Sequence, residues 1–214
     1  MRIADDLSRI GGEIAAFLLA ASCGGCDEPG TLLCARCREA LLAAPQEGET
    51  PRGLRVRSAL PFEGVAARCI RRLKGEGETF LARPLGAALA QVLVTEVTPT
   101  TWVVPVPTTS RAFRHRGYRV PDLLLRRAQI EPQRVLAVAA RTKDQRGLGA
   151  HDRAENVRGS LRARRRGDGA EVVIVDDVVT TGATIDEAAR ALQDAGFRVL
   201  AAVALAATPR RDGF

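Results

Sequence analysis

Two adjacent acids and a run of hydroxyls stand out in this 214-residue chain. Val172 to Thr184 reads VVIVDDVVTTGAT: a β-branched apolar run, then Asp176 and Asp177, then Thr180, Thr181, Gly182, Ala183 and Thr184. Consecutive apolar positions are what a strand buried on both faces of a parallel sheet requires. Ligands of open α/β sheets sit beyond the carboxyl ends of the strands, so the acids arrive where a ligand would be. The free N–H groups and dipole at a helix N-terminus suit a phosphate. Small residues let the backbone approach it, Gly182 permits a tight turn, and the Thr hydroxyls add donors. Carboxylates one sugar's width away could accept from ribose hydroxyls. The chemistry is that of a phosphorylated ribose. The plain alternative makes Thr184 an ordinary N-cap paired with Glu187 in a capping box. That accounts for neither the paired acids nor the Thr-Thr-Gly run.

A second constellation is Cys23-x2-Cys26 and Cys34-x2-Cys37, two knuckles seven residues apart. Four thiolates at this density suit a tetrahedral zinc site, closed and therefore structural. The separation is shorter than the usual four-Cys spacing, but Gly24 and Gly25 permit a tight first turn. A redox dithiol or unligated thiols are the alternatives, and a redox pair needs no second pair. Cys69 stands alone and reads as a small buried hydrophobe. His115 and His151 are lone and flanked by charge, as surface residues are.

These residues need elements to hold them. Apolar positions at helical spacing predict a helix over 1–21, Thr79 to Thr95, Asp122 to Gln129 and Thr184 to Ala195. Strands are expected at Val56 to Phe62, Trp102 to Val106, Val135 to Val138, Val172 to Val175 and Val199 to Leu205. The β-α-β order around the acids implies a parallel sheet with a right-handed crossover. Residues 141–169 form a long, charged, Gly- and Arg-rich segment, and loops of that length are usually functional or mobile. Pro45 to Gly53 is polar and rich in turn formers, which divides the chain into a helix and Cys module over 1–50 and an α/β domain over 51–214.

The composition bounds the function. The hydrophobic fraction is 46% and the charged fraction 27%, ordinary for a globular protein. The net charge of +7 suits anionic partners. Lys occurs only at Lys74 and Lys143, so the excess of Arg also has the look of coding bias. One Trp and one Tyr argue against a base-stacking platform for single strands. The apolar run Ile14 to Ala21 is too short to span a bilayer. Asp5, Asp6 and Glu13 ahead of it are foreign to a signal peptide. The expected compartment is the cytoplasm, with no membrane partner.

VVIVDDVVTTGAT resembles the ribose-phosphate signature of type I phosphoribosyltransferases. The Cys pairs, Leu73-Lys74, Val104-Pro105-Val106-Pro107, Arg116-Gly117-Tyr118, Lys143 with Gln145, and Arg153 before Asn156 narrow the resemblance to the ComF-like family, named for competence for DNA uptake. The resemblance implies an α/β fold with a parallel sheet flanked by helices and a small N-terminal zinc-binding module. It implies that Asp176 and Asp177 face the ribose hydroxyls of phosphoribosyl pyrophosphate or a nucleotide, and that Thr180, Thr181, Gly182, Ala183 and Thr184 hold the 5′-phosphate. It implies that Val106 and Pro107 grip the pyrophosphate, and that Lys143 and Arg146, with Arg153, lie on a catalytic lid. Proline after a strand can also be plain punctuation, and the charged segment a solvated loop. Magnesium would accompany the donor, bridging ribose and pyrophosphate oxygens. The implied reaction is phosphoribosyl transfer to a nitrogenous acceptor. A rival reading from the same resemblance is a non-catalytic adaptor for single-stranded DNA or a DNA-processing protein. The family continues its Arg-Gly-aromatic motif with Asn-Gln, where this chain has Arg119-Val120.

Overall fold

The computed structural model describes residues 21–139 and 158–209. In chain order its elements are α1 (Ala35–Glu39), β1 (Gln46–Glu49), β2 (Arg55–Pro61), α2 (Gly64–Gly75), a 3-10 turn (Thr79–Leu81), α3 (Ala82–Leu93), β3 (Trp102–Pro105), α4 (Ser110–Arg116), α5 (Val120–Arg127), β4 (Leu136–Val138), β5 (Leu161–Ala163), β6 (Glu171–Val179), α6 (Ala183–Asp194) and β7 (Arg198–Ala207). Five strands form one sheet in the order β1-β2-β7-β6-β3. All neighbours run parallel except β1, which is antiparallel to β2. The fold is α/β, as expected.

β4 and β5 make a separate antiparallel pair. Gln133 ties it to β3: its backbone N–H donates to Val103 O at 2.9 Å, and its Oε1 accepts from Val103 N at 2.7 Å. After β3 the chain therefore turns to one side, and β6 and β7 lie on the other. That reversal makes the gap between the carboxyl ends of β3 and β6 the switch point at which open α/β sheets bind ligands.

Strand β6 shows why its sequence is apolar throughout. Side chains alternate across a strand, so Val172 and Ile174 pack with Ile185 and Leu192 of α6. Val173 and Val175 pack on the opposite face with Leu85 and Leu89 of α3. All four β6 positions are fully buried.

Several elements depart from expectation. β6 runs on to Val179, so Asp176 and Asp177 lie within the strand, near its carboxyl end, rather than past it. The expected helix over Thr79 to Thr95 splits into the 3-10 turn and α3. α5 begins at Val120, because Pro121 fits a helix's first turn. The polar stretch after Pro45 contains β1, and the charged segment contains β5. α2 was not anticipated, although Ala66, Cys69, Ile70 and Leu73 recur at helical spacing and are all buried. The helix expected over 1–21 and His151 fall outside the described residues. No helix among the described residues is long and apolar enough to cross a membrane.

Candidate functional site

The Thr180 to Thr184 loop follows directly from β6. Gly182 sits at the N-cap of α6 in a left-handed conformation, φ 83°, which a residue with a Cβ adopts at a cost. A Cβ there would also lie 3.1–3.2 Å from Pro51 and Thr50. Gly182 thus brings the loop down onto the β1–β2 turn, and Arg52 N–H of that turn donates to Asp186 Oδ2 in the first turn of α6 at 3.2 Å. Thr180, Thr181 and Thr184 remain exposed around the helix start, where the first N–H groups lack intrahelical acceptors. A groove of about 400 Å³ runs beside Thr180 to Gly182, between them and β1 and β2.

The capping-box alternative is not what forms. Thr184 lies inside α6. Glu187 instead accepts from Leu161 N–H at 3.1 Å and pairs with Arg190 at 2.7 Å. Burial opposes the charge on Glu187, but these donors outweigh it and hold its carboxyl below the usual range.

The two acids are engaged differently. Asp177 Oδ1 accepts from Lys74 Nζ at 2.6 Å, from the last turn of α2. Asp176 Oδ1 accepts from the Asp177 backbone N–H at 2.8 Å. Burial, then the adjacent Asp177 charge, pushes the Asp176 carboxyl up to about 8. Such a group gains from a ligand that brings hydroxyl donors or a cation. That donor set fits a ribose diol with magnesium nearby.

Val106 completes the frame. Its backbone N–H donates to Val175 O at 2.8 Å, one residue before Asp176, and Pro107 follows it. The fold therefore brings Val106, Pro107, Asp176, Asp177 and the Thr180 to Thr184 loop to one end of the sheet. Lys143, Arg146 and Arg153 fall outside the described residues. Two residues near the site carried no individual role in the sequence reading. Lys74 is one. Tyr118 is the other; its hydroxyl donates to Leu73 O and fixes the end of α2. Both lay in quoted motifs, and a lone Lys closing an amphipathic run was the available signal.

The four cysteine Sγ atoms of Cys23, Cys26, Cys34 and Cys37 lie within 4.8 Å of one another, and Cys26 and Cys34 are 3.7 Å apart. Tetrahedral zinc with bonds of about 2.3 Å holds its sulfurs roughly 3.8 Å apart. Cys23 Sγ accepts backbone N–H bonds from Gly25 at 3.4 Å and Cys34 at 3.3 Å. Burial works against a Cys23 thiolate, but backbone donors at Cys34, Gly25 and Cys26 bring it down to about 6. Burial, then the neighbouring thiols, pushes Cys37 well up. Four thiolates so close need a cation between them, so the residues fit a metal such as zinc. A Cβ at Gly25 would meet Cys37 Sγ at 2.6 Å, so the knuckle closes only around glycine. Cys69 is buried outside the cluster, its Sγ donating to Gly24 O at 3.5 Å.

The phosphoribosyl transferase domain family matches residues 115–213. A DNA utilization protein YhgH of Salmonella typhi is 34% identical over 123 residues, 50% of this chain and 54% of that one. The protein of the same name from Escherichia coli K12 is 35% identical over 96 residues, 42% of each chain. The chain thus spans about half the length of the curated relatives it matches. Among solved structures it is similar to an adenine phosphoribosyltransferase at 12% identity, covering 80% of this chain and 89% of that one with a TM-score of 0.39. It is also similar to an orotate phosphoribosyltransferase from Aeropyrum pernix at 20% identity, 79% and 76% coverage and a TM-score of 0.37. Residues 115–213 are thus similar to the phosphoribosyl transferase domain family, and the relatives matched over about half of the chain are DNA utilization proteins.

Proposed function

We propose that this protein binds phosphoribosyl pyrophosphate at the carboxyl ends of β3 and β6 and transfers its phosphoribosyl group to a nitrogenous acceptor, in the cytoplasm, in the service of DNA uptake or use. One observation carries the reading. Val106 and Pro107, the two acids and the phosphate loop share the switch point of the sheet, with Val106 N–H on Val175 O. In the reaction the bond from ribose C1 to pyrophosphate oxygen breaks and a bond from C1 to the acceptor nitrogen forms. The Thr180 to Thr184 loop would hold the 5′-phosphate, and Asp176 and Asp177 would orient the ribose through its hydroxyls, fixing C1 for attack. Backbone at Val106 and Pro107 would steady the departing pyrophosphate. Magnesium, when bound with the donor, would lower the charge on the pyrophosphate oxygens. The four cysteines would hold a structural zinc. A non-catalytic adaptor that keeps this pocket is the second reading, favoured by the name DNA utilization protein on relatives matching half of this chain.

The test is calorimetric titration with phosphoribosyl pyrophosphate and magnesium, then a screen for pyrophosphate release across free bases. Asp176→Asn with Asp177→Asn should abolish binding while leaving the fold intact. Parent-like binding by that variant would remove the acids from the site. Binding without release from any base would favour the adaptor.

A further inference from the structure

A second pocket of about 240 Å³ lies beside the loop that follows β3, lined by Pro107 and Thr108 of that loop and by the β4–β5 pair. Four arginines converge on it from three parts of the chain: Arg119 just before α5, Arg134 just before β4, and Arg162 and Arg164 on and just past β5. Asp122 is the one acid among the described residues lining it. That carboxylate is already committed. It is 7% exposed and accepts from Arg134 Nε at 2.7 Å. Arg119, Arg162 and Arg164 face the same small space, and no carboxylate among the described residues pairs with them.

Two of these side chains are held in place. The Arg119 guanidinium lies 4.4 Å from the centroid of the Phe113 ring. Arg164 Nε donates to Leu136 O at 3.4 Å. The hairpin that carries Arg162 and Arg164 is anchored to α6 by Glu187 on Leu161 N–H and by Arg190 on Leu161 O. Gathering three like charges around one small cavity is unfavourable unless an anion shares them. Guanidinium forks match phosphate oxygens two at a time. The volume is below the roughly 300–1,000 Å³ of ordinary small-molecule sites, which suits phosphate groups rather than a whole nucleotide.

We propose that the pocket formed by Arg119, Arg162 and Arg164 binds phosphate groups of a second ligand, separate from the phosphate loop at α6. Arg119 stands where the family resemblance expects Asn, and the departure supplies one of the three charges. The phosphate can come from a single-stranded nucleic-acid backbone or from a free polyphosphate, and the ligand arms below separate the two. Pro107 borders both this pocket and the candidate pyrophosphate position, but none of the three arginines belongs to the ribose site, so the inference stands without the ribose reading.

The experiment titrates the full chain, at low salt, with a short oligothymidylate and separately with inorganic pyrophosphate, and repeats both with Arg162→Gln and Arg164→Gln combined. Both side chains are exposed, so the variant should fold as the parent does. We expect binding to fall about tenfold or more, as the loss of charge-assisted hydrogen bonds implies, with ribose 5-phosphate affinity unchanged. A loss confined to the oligonucleotide identifies a nucleic-acid backbone. A loss that includes pyrophosphate identifies a free polyphosphate. Parent-like affinity of the variant for both probes, or binding of neither probe by the parent, overturns the proposal. Failure of ribose 5-phosphate to bind the parent would overturn the proposed function and leave this pocket standing.

Discussion

Lys74 Nζ lies 2.6 Å from Asp177 Oδ1, so a helix that docks the cysteine module also reaches into the candidate ribose site. The same helix, α2, holds the module through Arg68 and Arg72, at 2.5 and 2.6 Å from the carboxylate of Asp27. Arg72 also donates to Cys23 O at 3.3 Å. One rigid element thus joins the two sites. Lys74→Met should weaken ribose 5-phosphate binding by loosening the orientation of Asp177. It should cost about 1 kcal/mol of stability, because the pair is partly solvent-screened, or roughly 2–4 °C in Tm. A calorimetric titration beside a thermal melt separates the two effects.

Removing the metal should be felt at a distance for the same reason. Protein purified without added metal should contain one zinc per chain, by elemental analysis. Chelation, or Cys34→Ser, should free α2 and weaken ribose 5-phosphate binding. Gly25→Ala should lose the metal without touching a ligand, because its Cβ would stand 2.6 Å from Cys37 Sγ. A folded variant with full zinc occupancy would contradict the knuckle geometry.

Asp176 gives the candidate site a pH signature. Its carboxyl is raised from 3.8 to about 8 by burial and by Asp177. Between those values the folded protein keeps a proton that the unfolded chain has released. Stability from this group is therefore full below about pH 4 and lost as pH rises toward 8. Asp176→Asn carries no charge and should flatten that slope. At pH 8 it should be more stable than the parent, seen as a higher Tm, with the difference shrinking as the pH falls toward 4. Equal pH slopes in parent and variant melts would place the titration elsewhere.

Gly182→Ala should damage the Thr180 to Thr184 loop alone. The residue is left-handed, φ 83°, and its Cβ would press on Thr50 and Pro51. About 1 kcal/mol of destabilisation is expected from the backbone conformation, with a larger relative loss of ribose 5-phosphate affinity. Thermal melts and titrations read the two numbers.

The parts of the fold legible in the sequence were those with an unbroken local signal. β6 announced itself by Val172 to Val175, and α6 by Ile185, Ala188, Ala189 and Leu192. The extension of β6 through Val179 was not legible, because it depends on pairing with Ala204, Ala206 and Ala207 of β7. β1 was hidden for a similar reason: Gln46 to Glu49 has no apolar alternation and is a strand only through β2. Spacing alone carried the four cysteines, since two knuckles put their sulfurs together by local turns. The Lys74–Asp177 pair spans 103 positions, and nothing local to either residue declares it. The same holds for the pocket arginines, which read in sequence as a general excess of positive charge.

Gln133 has a further consequence. β3 is the last strand of the five-stranded sheet, and a bare terminal strand is a template for adding another chain. Here the Gln133 side-chain amide accepts the Val103 N–H and its own backbone N–H occupies Val103 O. One residue therefore supplies both halves of a strand pairing and takes Val103 out of reach of a foreign strand. At the opposite border β1 carries Glu47 and Glu49, charges that discourage stacking of like edges. Gln133→Leu should keep the volume yet leave Val103 N–H without its side-chain partner, converting a sealed border into a growth point for aggregates, visible as turbidity on heating.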